Sequence, residues 1–110
     1  MSTLTETKTI IWTGQSGKEY QYWIYPINTS FNAKSGNYCF SKETSSGYWT
    51  PLYFGESEDL SGRFDNHHKI DMAIRRGATH IHAHVNNGSK IARINEETDL
   101  IRKWNPPCNG

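Results

Sequence analysis

Two kinds of apolar periodicity divide the chain into an N-terminal half of strands and a C-terminal half that contains the helices. Positions 7–12 and 19–27 are rich in β-branched and aromatic residues and flank the turn composition of 13–17. This arrangement predicts a β-hairpin. Two further strands are predicted over 37–43 and 51–54, with a glycine-containing loop between them.

The spacing of apolar residues becomes helical after the fourth strand. Ser57 predicts a helix N-terminus, and Glu58 and Asp59 follow it in the first turn, where the helix dipole favours acids. Gly77 predicts the C-terminal end of this helix because glycine readily adopts the left-handed conformation of a C′ residue.

The last third of the chain predicts one more strand and one more helix. Strict alternation over 78–85 indicates a strand, and Ser89 predicts the N-cap of a helix over 90–104. The resulting order β-β-β-β-α-β-α predicts the α+β class with a mainly antiparallel sheet. We expect a flexible tail at 1–6 and a single domain over 7–110.

Composition narrows the range of functions. The chain has 110 residues and a formal net charge of +1, so a strongly basic protein that coats DNA is excluded. No apolar stretch approaches the roughly 18 residues of a membrane span, and no signal peptide is visible at the N-terminus. We therefore expect no membrane association and a cytoplasmic location.

The final helix carries a carboxylate on its predicted apolar face. The apolar stripe of this helix consists of Ile94, Leu100, Ile101 and Trp104. Glu97 shares that face, whereas Glu96 and Asp99 are predicted to be solvated. An inward carboxylate needs a partner or a cation. Two interpretations stay open for Glu97: a hydrogen bond to a nearby Arg or Tyr, or a metal or catalytic role.

Two groups of basic side chains are also candidates for chemistry. Arg63 and His67 are four residues apart on the helix predicted after Ser57, so they share one face of it. They are either a solvated surface pair, or Arg63 neutralises a phosphoryl charge while His67 transfers a proton. His80, His82 and His84 alternate along a strand, and two neighbours could share a zinc ion. We favour a half-exposed or core-lining histidine row, with zinc binding as the alternative.

In sequence order, the candidate residues resemble the GIY-YIG nuclease domain. The residues that carry the resemblance are Gly36-Asn37-Tyr38, Tyr53-Phe54-Gly55, Arg63, His67, Glu97 and Asn109. The sequence GNY stands in place of GIY, and YFG stands in place of YIG. The match covers 36–109, about two-thirds of the chain.

The resemblance implies a fold and a set of roles. It implies a three-stranded antiparallel sheet flanked by helices, with the hairpin of 7–27 outside this core. It assigns catalytic roles to Tyr38, Tyr53, Arg63 and His67. It makes Glu97 the ligand of a single Mg²⁺ or Mn²⁺ ion, with Gly55 and Asn109 supporting the site.

The implied function is metal-dependent endonucleolytic hydrolysis of nucleic acid, with DNA as the expected substrate. A partner protein could supply the specificity for the nucleic-acid substrate. The alternative is a non-catalytic module that binds DNA or protein and retains a vestigial site. The near-neutral charge favours this alternative, whereas the complete set of Tyr, Tyr, Arg, His and Glu opposes it.

Overall fold

The five strands found among the described residues belong to one antiparallel sheet. The computed structural model describes residues 8–61, Phe64 and 68–109. The strands are β1 (Thr9–Thr13), β2 (Glu19–Pro26), β3 (Gly36–Ser45), β4 (Tyr48–Ser57) and β5 (His80–Val85). They lie in the order β1-β2-β5-β3-β4, and each neighbouring pair is antiparallel. The helices are α1 (His68–Arg75) and α2 (Lys90–Trp104), followed by a 3₁₀ turn (Pro107–Asn109).

This architecture confirms the predicted α+β class and the predicted order of elements. Strands β4, β3 and β5 are adjacent and antiparallel, as the resemblance implies. The N-terminal hairpin extends the same sheet, because β2 pairs with β5 at Trp23 and Ala83. Strands β1 and β4 are therefore the two edges. Within the described ranges, neither helix is long and apolar enough to cross a bilayer.

Side chains on alternate strand positions form two cores, one on each face of the sheet. The core beneath α1 includes Tyr38, Phe40, Leu52, Leu60, Phe64, Ala73, Ile81, Ala83 and Cys108. The core beneath α2 consists of Trp12, Tyr22, Cys39, Phe54 and Leu100. Each helix thus covers a different face, and β3 contributes side chains to both cores.

The predicted start of the first helix is wrong. Ser57 is the last residue of β4, and its hydroxyl accepts a hydrogen bond from the Asp59 backbone N–H at 3.0 Å. The Asp59 carboxylate accepts from the backbone N–H of Ser61 at 2.9 Å. These short polar side chains therefore stabilise turns instead of a helix N-terminus. The described helix begins at His68.

The C-terminal end of α1 and both ends of α2 lie where the sequence predicts them, because capping residues next to each end determine its position. Gly77 has a φ of +98°, and the N–H of Ala78 donates to the Ala73 carbonyl, so α1 ends as predicted. Helix α2 has the predicted bounds, because the Ser89 hydroxyl caps the Ala92 N–H at 3.1 Å. It ends at Asn105, which has a φ of +45°.

The predicted inward face of α2 is correct for Leu100 and Ile101 and wrong for Ile94 and Trp104. Leu100 is buried and Ile101 packs against the same core, whereas Ile94 is 40% and Trp104 39% exposed. Arg93 and Glu96 are buried instead, so the prediction that Glu96 is solvated is also wrong. Polar side chains of the sheet form hydrogen bonds with α2, and the spacing of apolar residues along the helix does not predict them. Their hydrogen bonds set the rotation of the helix about its axis.

Those partners surround the carboxylate of Glu96. The hydroxyl of buried Tyr22 donates to Glu96 Oε2 at 2.7 Å, and His84 Nε2 lies 2.6 Å from the same oxygen. The Asn86 amide donates to Glu96 Oε1 at 3.2 Å and to Asn37 Oδ1 at 3.0 Å. Burial, together with the Glu96 charge, raises the pKa of Tyr22 well above its ordinary value, so its hydroxyl remains a donor. The network joins β2, β3, β5 and α2.

The histidine row lines the core, as the favoured interpretation expected. The indole N–H of Trp12 donates to His82 Nδ1 at 3.1 Å, so His82 Nε2 carries the proton and donates to Ser41 Oγ at 2.8 Å. Both nitrogens of His82 are therefore engaged within the protein. Burial, with the nearby His80, lowers the pKa of His82 to about 3.

We predict that Glu96→Ala lowers the free energy of unfolding by about 2–3 kcal/mol, because buried donors lose their acceptor. Glu58→Ala, at an exposed acidic position, should change it by less than about 0.5 kcal/mol. Urea unfolding at pH 7 measures both. Equal effects of the two substitutions would show that the Glu96 network does not hold α2 in place.

We also predict an acid-dependent loss of stability that comes from His82. Its pKa is about 3 in the folded chain against an ordinary value of 6.5, so the unfolded chain binds more protons between these values. The free energy of unfolding should therefore fall with decreasing pH below about 6.5, by at most about 1.4 kcal/mol per unit.

The measurement compares urea unfolding at pH 7 and pH 5 for the wild type, His82→Gln and the control His80→Gln. The His82→Gln variant should lose this component of the pH dependence, and His80→Gln should retain it. A wild type and a His82→Gln variant with the same pH dependence would contradict the assignment.

Candidate active site

The two motif tyrosines lie together on the α1 face of the sheet. Tyr38 on β3 pairs with Gly55 on β4, and a Cβ added at Gly55 would overlap the Tyr38 Cζ and hydroxyl oxygen. The phenol end of Tyr38 therefore lies directly over Gly55. Tyr53 shares this face, with its ring centroid 6.1 Å from that of Tyr38. Of the predicted site residues, Tyr38, Tyr53 and Gly55 are brought together.

The two phenols differ in their access to solvent. Tyr38 is fully buried, with the Phe64 ring centroid at 4.9 Å and the Phe40 centroid at 5.4 Å. Tyr53 is only half-buried and stacks on Phe40 at 5.7 Å. Tyr53 is consequently the more solvent-accessible phenol of this pair.

Asn109 holds the segment between Tyr53 and Gly55. Its side-chain oxygen accepts from the Phe54 N–H at 2.9 Å, and its amide donates to the Phe54 carbonyl at 3.0 Å. Because β4 is an edge strand, these backbone groups of Phe54 have no neighbouring strand to pair with. This pair of bonds fixes the backbone of β4 at Phe54 to the 3₁₀ turn.

Glu97 lies on the flank of α2 that faces β4. A helix turns about 100° per residue, so Glu97 and Arg93 are within about 40° of each other around its axis. Arg93 Nε donates to the Glu56 carboxylate of β4 at 3.1 Å. Asp99, on the opposite flank, accepts from the Tyr20 hydroxyl of the hairpin at 2.8 Å. Glu97 is half-buried on the β4 side of the helix.

The sheet itself separates Glu97 from the phenols. Tyr38 and Tyr53 belong to the α1 face, whereas α2 and Glu97 cover the other face. Strand β4 is at the edge of the sheet. The phenols on the α1 face and the Glu97 carboxylate on the α2 face can therefore approach the same ligand only around the outer edge of β4. Arg63 and His67, the other two predicted catalytic residues, lie outside the described residues.

Sequence reasoning missed two residues beside this edge. Arg93 is buried and neutralises Glu56, the acid that directly follows the YFG motif. Asn37, the middle residue of GNY, is also buried and donates to the Arg93 carbonyl at 2.9 Å. A polar residue directly before the buried run Tyr38-Cys39-Phe40 was the available signal for Asn37, whereas Arg93 resembled any exposed helix cation.

The described residues contain no group of three or more His, Cys, Asp or Glu side chains arranged to hold a metal ion. The zinc alternative therefore gains no support from the positions of His80, His82 and His84. A site with one carboxylate needs no such group, because Mg²⁺ retains several waters and takes phosphate oxygens as ligands. Glu97 offers an oxygen donor of the kind this ion prefers.

The chain matches no protein-family model, no curated protein and no solved structure at a significant level.

We predict that Gly55→Ala destabilises the protein by about 1–3 kcal/mol, because the new methyl group collides with the buried Tyr38 phenol. The same substitution in a Tyr38→Leu background should cost less, since the colliding atoms are absent. Thermal and urea unfolding of the four proteins in this double-mutant cycle measure the coupling. Additive effects would mean that Tyr38 does not lie over Gly55.

Proposed function

We propose that this protein is a metal-dependent endonuclease that hydrolyses nucleic-acid phosphodiesters, with DNA as the expected substrate and the cytoplasm as the expected location. The observation that carries the proposal is the position of the Tyr38 phenol over Gly55 at the edge strand, with Tyr53 beside it. Helix α2 presents Glu97 on its flank toward the same strand. Glu97 lies on the opposite face of the sheet from these phenols, so the proposal requires the metal ion and the phosphate to be bound around the outer edge of β4.

The residues at this edge suit a reaction with one divalent cation. Glu97 would hold Mg²⁺ or Mn²⁺ through its carboxylate. When bound there, such an ion stabilises negative charge on the scissile phosphate and on the leaving oxygen. The neighbouring acid Glu56 is paired with Arg93, so its charge is largely offset before a phosphate approaches.

The protein groups would divide the remaining tasks. Tyr53, the partly exposed phenol, would act as its phenolate and accept a proton from the attacking water, whose oxygen bonds to phosphorus while the bond to the leaving oxygen breaks and that oxygen takes a proton from solvent. Tyr38 could exchange this role with Tyr53, and His67 is the further candidate for proton transfer. A phenol has an ordinary pKa near 10, so proton acceptance requires a cation close by. Arg63 would neutralise charge that develops on the phosphoryl oxygens. Asn109 would keep the backbone of β4 fixed beneath these groups.

We predict that Glu97→Gln and Arg63→Ala each reduce metal-dependent nicking of supercoiled and branched DNA by at least about 100-fold. Glu58→Gln removes an exposed carboxylate close to the same strand and should retain activity. Circular dichroism and unfolding curves establish that the variants are folded. Retained nicking by folded Glu97→Gln would refute the assignment of the metal ligand.

The second candidate function is a binding module with the same fold and no hydrolytic activity. The complete burial of Tyr38 favours it, because a buried phenol cannot contact bulk water. Wild-type protein that binds labelled branched DNA but does not nick it with Mg²⁺ or Mn²⁺ would establish this alternative. Nicking that depends on the metal and on Glu97 would exclude it.

A further inference from the structure

A buried arginine of α2 bonds to both members of the cross-strand pair next to the one that carries the Tyr38 phenol. Tyr38 of β3 pairs with Gly55 of β4, and the next pair along these strands is Asn37 with Glu56. Arg93 Nε donates to the Glu56 carboxylate at 3.1 Å, and the Asn37 amide donates to the Arg93 carbonyl at 2.9 Å. Arg93 is therefore attached to both strands that hold the phenols.

The two neighbouring pairs present their side chains on opposite faces of the sheet. Successive residues of a strand alternate between its faces, so Asn37 and Glu56 face α2 whereas Tyr38 and Gly55 face α1. The two pairs are one residue apart, which is about 3.4 Å along the strands. A shift of α2 against Asn37 and Glu56 therefore changes its position relative to the Tyr38 phenol on the other face.

The same arginine is close to the proposed metal ligand along the helix. Glu97 follows Arg93 by one helical turn, on the flank of α2 that faces β4. Arg93 Nη1 also donates to the Gly88 carbonyl, in the loop before α2, at 2.8 Å. The guanidinium consequently joins the beginning of α2 to β4 within one turn of Glu97.

Burial makes the ion pair between Arg93 and Glu56 a constraint on geometry. The two side chains are only 6% and 15% exposed, so both charges have lost much of their contact with water. An apolar pair of similar volume commonly gives a protein as much stability as a buried ion pair. The planar guanidinium, however, bonds to Glu56 and to the Gly88 carbonyl together only in a narrow range of geometries. The pair therefore restricts the distance between α2 and β4.

From these contacts we infer that Arg93 is a positioning residue, which sets the distance between the Glu97 carboxylate and the phenols around the outer edge of β4. The inference rests on the proposed function, because a reaction that uses groups from both faces requires this distance to be fixed. A misplacement of about 1 Å can lower the rate of an enzymatic reaction by about 100-fold. The Glu96 network determines the rotation of α2, and Arg93 determines its separation from β4.

The first test replaces the charged pair with an apolar pair in the double variant Arg93→Met/Glu56→Leu. The total charge of the pair is zero before and after the change, so the net charge of the protein is retained. The variant should be at least as stable in urea as the wild type. Its kcat for metal-dependent nicking should fall by about 10- to 100-fold, with KM for DNA within about 3-fold of wild type. A purely structural role would leave kcat unchanged in the folded variant.

Two further variants make the first test specific. Arg93→Lys retains the charge but lacks the planar fork, so its kcat should lie between those of the wild type and the double variant. Tyr20→Phe removes the bond to Asp99 that holds α2 to the hairpin, on the flank away from β4, and should keep the wild-type kcat. If the double variant does not fold, a folded Arg93→Lys with wild-type kcat overturns the inference.

The second test measures the separation directly and needs no DNA. The protein is labelled with fluorotyrosine, and the Tyr53 resonance is assigned by its loss in Tyr53→Phe. Bound Mn²⁺ broadens fluorine resonances by an amount that falls steeply with distance, and Glu97→Gln should abolish the broadening at Tyr53. The double variant should bind Mn²⁺ with wild-type affinity but show a different broadening at saturation. Equal broadening in the wild type and the double variant would overturn the inference, even if kcat differs.

The two measurements distinguish the failure of this inference from the failure of the proposed function. If wild type nicks DNA and the double variant matches it in kcat and in broadening, Arg93 has no positioning role and the nuclease remains. If wild type does not nick DNA but its Tyr53 broadening depends on Glu97 and changes in the double variant, the nuclease proposal fails and the positioning role stands. If Mn²⁺ does not broaden Tyr53 in the wild type, both fail.

Discussion

The buried carboxylate of Glu96 is the interaction on which the arrangement of this protein depends. Tyr22, His84 and Asn86 approach it from the sheet, and all lie within 3.2 Å of its oxygens. A buried carboxylate without such partners would cost several kcal/mol, so α2 can adopt only the rotation that brings Glu96 to them. That rotation directs Arg93 to Glu56 and leaves Glu97 on the β4 flank. The position of the proposed metal ligand therefore follows from the residue before it.

A second constraint is that β4 is an edge strand with cores on both of its faces. Its outward backbone groups at Phe54 are paired by the side chain of Asn109, and its glycine at position 55 makes room for the Tyr38 phenol. A side chain at position 55 would displace that phenol. The edge is thus kept free of another strand while groups from both faces remain close to it. At Phe54 the edge is therefore covered by the 3₁₀ turn instead of by another strand.

Local signals explain which parts of the fold could be predicted from the sequence. The bounds of α2 depend on the Ser89 cap and on Asn105, and both act within one helical turn. The burial of Glu96 could not be predicted, because its partners are 10 to 74 residues away in sequence. The helix start predicted at Ser57 was wrong for a related reason. A serine hydroxyl accepts a backbone N–H in a turn as readily as at a helix N-terminus, and tertiary contacts determine which of the two forms. Of the candidate site residues, Tyr38, Tyr53 and Gly55 come together because the tripeptides GNY and YFG lie on the paired strands β3 and β4, whereas the position of Arg93 depends on the helix rotation.

The charge distribution constrains how such a site would hold nucleic acid. With 12 Lys and Arg against 11 Asp and Glu, the chain carries little net positive charge to attract the phosphates of a long duplex. Affinity from counterion release grows with the number of phosphates neutralised, so this contribution is small here. Stacking of unpaired bases does not require net positive charge and is only weakly selective for sequence. For a nuclease with this composition, base stacking on aromatic side chains is therefore a more effective source of affinity than net charge.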